Sequence, residues 1–402
     1  MTSGSLERCT VNGTLGLQAS DDRRAIQGVQ RHWDAGRRPA RHIDVLLLAG
    51  ALLLAAFGLV MIHSATVYRL EASGQPGSYY VVRQAGALGI GVVGMVAVSL
   101  FDYRAFRAWA PPLYGTTLLL LISVLVDGKV VNGSRAWIHL GAVQFQPSEF
   151  AKVALILSLA ALFHERREEA LGLRALVEAL GVAAAPMTLI LLQPDFGTFI
   201  VYVAIMCGVL LLARVRVRYM VALALIGIVA ISAVLVSGAL ASYQVQRLTA
   251  FVSPQDASPE SIYNVRQAQI AVGSGRLIGR GLGKGSQTAL EFVPENQTDF
   301  IFTVVGEELG FVGCAGMLAM FGLVLWRGLR IAALSRDTFG TLIAGGVVSV
   351  LAFQLFINVG MTIGIMPVTG LTLPFVSYGG TSLISSFLMI GLLQSVHLHR
   401  FR

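Results

Sequence analysis

Residues 175–213 read ALVEALGVAAAPMTLILLQPDFGTFIVYVAIMCGVLLLA, two apolar runs parted only by Gln193-Pro194-Asp195. A helix rises 1.5 Å per residue, so about 20 mainly apolar residues cross the hydrocarbon core of a bilayer. Each run has that length. Proline and two polar side chains between them fit a tight turn at a membrane surface. The stretch is therefore read as a hairpin of two membrane-spanning helices.

Moving outward from it, runs of the same kind occur near 43–63, 83–101, 108–127, 147–164, 217–238, 300–326, 339–363 and 376–397. The hydrophobic residue types make up 55% of the 402-residue chain and charged residues only 13%. A soluble domain carries about 25% charged residues. This composition excludes a soluble enzyme and implies an all-α, polytopic membrane protein of about ten helices. The net charge of +8 is then a matter of loop orientation and not of nucleic acid, for which no aromatic-interleaved basic module is present.

Lys and Arg in short loops orient the chain. Arg104 and Arg107, then Arg166, Arg167 and Arg174, then Arg214, Arg216 and Arg218, then Arg327, Arg330 and Arg336, and finally Arg400 and Arg402 fall on one side. The Arg-rich stretch 1–42 falls on that side as well. Both ends are thus expected in the cytoplasm, with 1–42 a basic, disordered tail and 43–402 the transmembrane domain. Residues 239–299 form a long extracellular loop between the seventh and eighth helices. Loops of this length usually carry function, and apolar Ile262–Val272 inside it is expected to form a short interfacial helix. Cys9, Cys207 and Cys314 have no motif spacing and read as packing residues.

Five stretches hold residues able to carry chemistry. Glu295-Asn-Gln297-Thr298-Asp299 closes the long loop. Thr298 is a candidate N-cap and Asp299 a first-turn carboxylate, either decorating a helix start or placed to accept a proton. Glu307-Glu308 lie about two turns deeper, where acids are costly and face a bundle interior. They read as a structural pair or, with Asp195, as a polar funnel. Arg135 and Trp137 precede Gln146-Pro147-Ser-Glu149-Phe-Ala-Lys152, where Glu149 and Lys152 share a helix face and suit an ion pair. Gly273–Ser286 is Gly-rich with Arg280 and Lys284, either a flexible loop or a phosphate cradle, but it fails the Walker pattern. Residues 367–382, with Ser377 and Tyr378, have the Pro and Gly density of a broken or re-entrant segment.

Taken together, the stretches NGSRAWIHLG, FQPSEFAK, QPDFGT, GRGLGKGSQ, VPENQTDFIFTVVGEELGFVG and MPVTGLTLPFVSYGGTS resemble the SEDS family (shape, elongation, division, sporulation). The likeness covers roughly 43–398, and six motifs in register make it specific. The run from GKGSQ through FVPENQTDFIF looks more like the rod-shape, RodA-type branch than the division, FtsW-type branch. Gln297 stands where many members have His, so no imidazole role carries over.

The resemblance implies a peptidoglycan glycosyltransferase in the bacterial cytoplasmic membrane, serving cell elongation. It would polymerise lipid II, the undecaprenyl-pyrophosphate-linked disaccharide peptide, beside a class B penicillin-binding protein. Asp299 matches the family's essential aspartate and would be the general base of an inverting transfer. Arg135, Trp137, Glu149, Lys152, Glu295, Gln297, Ser377 and Tyr378 would line the substrate site. The positive charge needed to stabilise the departing pyrophosphate would come from Arg135, Lys152, Arg266 or a divalent cation such as Mg or Mn. The alternatives are a lipid II flippase, a scaffold of the wall machinery and a division-specific polymerase.

Overall fold

The computed structural model describes residues 43–131, 134–140, 143–164, 172–237, 251, 259–290 and 292–400. The expected tail 1–42, with Cys9, lies outside them, as do Arg166, Arg167, Arg402 and most of 238–258. Helices α1 (Val45–Ala72), α2 (Tyr79–Leu100) and α3 (Phe106–Asp127) open the fold. Then come α4 (Pro147–His164), α5 (Leu173–Leu192), α6 (Phe196–Leu212) and α7 (Val217–Ser237). After α8 (Pro259–Ser274) and the single turn α9 (Ser286–Ala289), the chain ends in α10 (Ile301–Ala333), α11 (Thr338–Ile363) and α12 (Gly380–His399). Eight of these are long and apolar enough to cross a membrane, α6 is a shorter apolar helix, and α7 is apolar over Val217–Val229.

Apolar side chains lie on both surfaces of the bundle. Phe163, Tyr202, Phe321, Phe339 and Phe387 are fully buried between helices. Val93, Leu119, Val126, Ile226 and Val229 are exposed on α2, α3 and α7. In water such a surface would aggregate, whereas facing lipid it costs nothing. The chain is therefore a polytopic α-helical membrane protein.

Two contacts between α1 and α10 set the scale of the membrane. Arg327 forms a buried, bidentate ion pair with Asp44, which also caps α1 by accepting from the Leu47 amide (3.1 Å). Toward the other end, the Ser64 hydroxyl donates to the Glu308 carboxylate at 2.6–2.7 Å. From Glu308 to Arg327 the helix rises about 28 Å at 1.5 Å per residue, close to the roughly 30 Å of a hydrocarbon core. Glu308 thus lies near one membrane boundary and Arg327 near the other.

Helix α10 is broken at Gly310, whose φ of 64° and ψ of −159° are non-helical. The Gly-rich segment fills the break. The amides of Arg280 and Gly281 donate to the carbonyls of Glu307 and Glu308 (3.0 and 2.9 Å), and the amides of Phe311 and Val312 donate to those of Arg276 and Leu277 (2.9 and 3.0 Å). A side chain on Gly310 would meet the Gly279 nitrogen at 2.3 Å. The segment is accordingly a backbone splice, and the amides of Arg280 and Gly281 that a phosphate would need are already donated.

The architecture is all-α as expected, with one small antiparallel sheet between α3 and α4, order β1 (Lys129–Val131), β2 (Ser134–Leu140), β3 (Val143–Phe145). Trp137 pairs with Lys129, and Ile138 with Phe145. Asn132-Gly133, a strong hairpin signal in sequence, separates the first two strands. Helix α8 contains the expected Ile262–Val272, but it packs on protein. Ala268 and Ala271 are buried with Val293 and Phe300 against Val368. Irregular residues between α11 and α12 fit the broken segment read from the sequence, with Gly364, Gly370 and Phe375 at positive φ.

Candidate functional site

A cavity of about 1380 Å³ opens at the bundle end opposite the Asp44–Arg327 pair. The C-terminal end of α1, the N-terminal end of α2, the sheet, the Gln193-Pro194-Asp195 turn, residues 295–299 and the segment 367–384 all reach it. Of the residues picked from the sequence, Asp299, Glu295, Gln297, Glu149, Asp195, Trp137 and Tyr378 line this space.

Asp299 stands on an irregular turn ahead of α10, not inside the helix. The expected N-cap role of Thr298 does not hold, because Phe300 occupies that position and offers no side-chain bond. Glu295 has φ 52°, so the chain folds back on itself here. The Thr298 hydroxyl lies 3.2 Å from the Glu295 carbonyl and 3.1 Å from its carboxylate. Neighbouring segments take the main-chain carbonyls of this turn. The Tyr378 amide donates to Gln297 (2.9 Å), the Ser377 hydroxyl to Thr298 (2.5 Å) and the Asn358 amide to Asp299 (2.8 Å).

Under the cavity, Lys152 and Glu149 form an ion pair at 2.8 Å with both side chains almost fully buried. Ser385 donates to the same carboxylate oxygen at 2.9 Å. Asp195 caps α6, accepting from the amide (3.0 Å) and hydroxyl (2.8 Å) of Thr198, and Gln146 approaches it at 3.4 Å. Burial pushes the Asp195 carboxyl above its ordinary range and Glu149 adds to this, while the bonds from Thr198 and the charge of Lys152 oppose it. Asp195 also lines the open cavity, so water there offsets part of that burial.

Six residues picked from the sequence do not line the cavity. Arg135 is exposed and turns its guanidinium toward the Leu125 carbonyl at 3.4 Å. Lys152 is consumed by Glu149. Ser377 faces protein, accepting from the Leu373 amide (2.9 Å) besides donating to Thr298. Glu307 and Glu308 are anchors and not a funnel. Glu307 accepts from the amides of Gln287 (2.8 Å) and Thr288 (2.9 Å) and from the Thr288 hydroxyl (2.7 Å), and Glu308 holds Ser64. Arg266, weighed as a pyrophosphate partner, is exposed on α8 and is absent from the cavity wall.

The cavity's positive charge comes instead from Arg69 and Arg83. Arg69 donates to the Tyr80 hydroxyl at 3.2 Å, and Arg83 lies 4.3 Å from the centre of the Tyr79 ring. Tyr80 makes edge contacts with Tyr79 and Tyr378, at 5.3 and 4.8 Å between ring centres. Burial raises the Tyr378 hydroxyl's pKa, and its hydrogen bond with Arg83 pulls the other way. Gln84, fully buried, donates to the Ser377 carbonyl (3.0 Å) and accepts from the Gly379 amide (3.2 Å). In sequence, an arginine beside two tyrosines at a helix start has the pattern of an ordinary interfacial anchor. Among the described residues no three His, Cys, Asp or Glu side chains converge as metal ligands.

The profile of the cell cycle protein family FtsW/RodA/SpoVE matches residues 44–401. The chain belongs to this family. All the segments that build the cavity fall inside the match. Relatives in the FtsW/RodA/SpoVE family include stage V sporulation protein E of Bacillus subtilis, 38% identical over 88% of this chain and 96% of that protein. The peptidoglycan glycosyltransferase MrdB of Escherichia coli K12 is 38% identical over 89% and 94%. Among solved structures, a chain from a peptidoglycan synthase complex that coordinates polymerization and crosslinking superposes with a TM-score of 0.75 at 32% identity, covering 90% of this chain and 99% of that one. The rod shape determining protein RodA of Thermus thermophilus gives 0.68 at 31% identity, covering 90% and 98%. Family membership and the apolar exterior make this a multi-pass protein of the bacterial cytoplasmic membrane.

Proposed function

We propose that this protein is a peptidoglycan glycosyltransferase that polymerises lipid II at the outer face of the membrane, with Asp299 as general base. The observation that carries the reading is the shared cavity. Asp299, Glu149, Asp195, Arg69 and Arg83 all border one space at a membrane boundary. The loop arginines Arg104, Arg107, Arg214, Arg216, Arg218 and Arg336 lie toward the opposite end, which the positive-inside rule assigns to the cytoplasm. A lipid-linked sugar has a wet head group and a greasy tail, so its reacting centre sits at such a boundary.

In the transfer, the acceptor's 4-hydroxyl oxygen attacks the anomeric carbon of the donor as the bond to the pyrophosphate oxygen breaks. The hydroxyl proton passes to the Asp299 carboxylate, and undecaprenyl pyrophosphate leaves with the bonding electron pair. One attack on the face opposite the leaving group inverts the anomeric centre. An activated leaving group removes the need for the second, acidic carboxyl of a glycosidase pair. Arg69 and Arg83 are positioned to stabilise the charge that develops on the pyrophosphate.

The test supplies purified protein, with a class B penicillin-binding protein as partner, with lipid II and follows glycan polymer. Arg83→Ala is expected to lower the rate about 10- to 100-fold, and Arg83→Lys to recover part of it. An unchanged rate in the alanine variant would remove Arg83 from the leaving-group role. The elongation role belongs to the same proposal and rests on the run from GKGSQ through FVPENQTDFIF. It is expected to restore rod shape to cells lacking their rod-shape polymerase and to fail in cells lacking the division polymerase, as judged by cell morphology.

A further inference from the structure

Asp299 gains no rigidity from helix α10, which begins two residues later. Its main chain is held from outside that helix. Asn358 is suited to that task. It lies near the end of α11, where its side chain is completely buried. Its Nδ2 donates both protons to main-chain carbonyls, one of Asp299 and one of Leu371, each at 2.8 Å. Two carbonyl acceptors fix which end of the amide carries nitrogen, since the flipped rotamer would set oxygen against oxygen.

The two carbonyls belong to different walls of the cavity. Asp299 and Leu371 both line it, and Asn358 is hydrogen-bonded to both. The Asn358 Oδ1 is buried with no hydrogen-bond partner among the described residues. An orphaned buried acceptor is unfavourable, and a leucine of similar volume would avoid it. The amide is therefore explained by what its nitrogen does and not by packing. We infer that Asn358 is a positioning residue that locks the Asp299 turn to the Leu371 segment and so sets the angle at which the base meets the acceptor hydroxyl. This rests on the proposed role of Asp299.

The experiment compares Asn358→Leu, Asn358→Asp and Asp299→Ala in the lipid II polymerisation assay, each purified with the penicillin-binding partner and checked for thermal stability. Asn358→Leu loses both donors. A misplacement of about 1 Å at a reacting group costs on the order of 100-fold in rate, so kcat is expected to fall 10- to 100-fold while KM for lipid II stays within about threefold. Asn358→Asp, protonated at so buried a position, keeps one donor and is expected to fall between wild type and Asn358→Leu. If the leucine variant does not fold, the aspartate variant carries the test through the same split. A kcat within twofold of wild type for the variants that fold, or a loss confined to KM, overturns the inference. Polymer formed normally by Asp299→Ala would instead overturn the reading of the base itself.

Discussion

Asp299→Ala is expected to abolish glycan polymer, with a fall of about 100- to 10,000-fold, the usual contribution of a positioned general base. Folding should survive, because the contacts that hold this turn are made by backbone carbonyls. Those of Gln297, Thr298 and Asp299 are taken by Tyr378, Ser377 and Asn358, and truncation at Cβ removes none of them. Thermal stability close to wild type, together with loss of polymer on gels of lipid II products, is the expected pair of results. Asp299→Asn should behave alike, since an amide keeps the shape but takes no proton. Unchanged polymer in either variant would move the base to another carboxylate of the cavity, Glu149 or Asp195 first. Lipid II translocation into sealed vesicles without polymer in the wild type would favour a flippase.

The sequence exposed the membrane class because each span is a long apolar run and the alternation of loop arginines has no soluble counterpart. It also exposed Asp299, Glu149 and Asp195, since acids beside apolar runs are costly and stand out. It hid the rest for physical reasons. Arg69 and Arg83 look like ordinary interfacial arginines until α1 and α2 bring them to one rim. Asn358 and Gln84 are uncharged residues within apolar helices, and nothing local signals which carbonyls they reach. Glu307 and Glu308 stayed open between a structural pair and a funnel, because depth alone does not say which partners reach them. The Gly-rich segment crosses the break at Gly310, Gln287 and Thr288 of α9 satisfy Glu307, and Ser64 of α1 satisfies Glu308. The strands between α3 and α4 escaped because β1 and β3 have three residues each, too few to carry a periodicity.

Lys152→Met is expected to be the most destabilising single change near the cavity. Its ammonium group meets Glu149 at 2.8 Å, with side-chain exposures of only 2% and 7%. Desolvating both charges consumes most of their attraction, so the intact pair adds little net stability. Removing one partner is different, because it leaves a buried charge uncompensated at a cost of about 3–5 kcal/mol. Ser385 still donates to the Glu149 carboxylate, yet one hydroxyl does not replace a full charge. Thermal unfolding in detergent should therefore show a clear loss for Lys152→Met and a substantial recovery when Glu149→Gln is added. A single variant as stable as wild type would mean that water reaches the pair from the cavity. Rate should separate from stability in the double variant. Glu149 lines the cavity whereas Lys152 does not, so restoring the fold by neutralising both removes a cavity carboxylate. Polymerisation should stay at least about tenfold below wild type, by the weight of charged groups facing a reacting centre. A stable and fully active double variant would reduce the pair to a strut beneath the site.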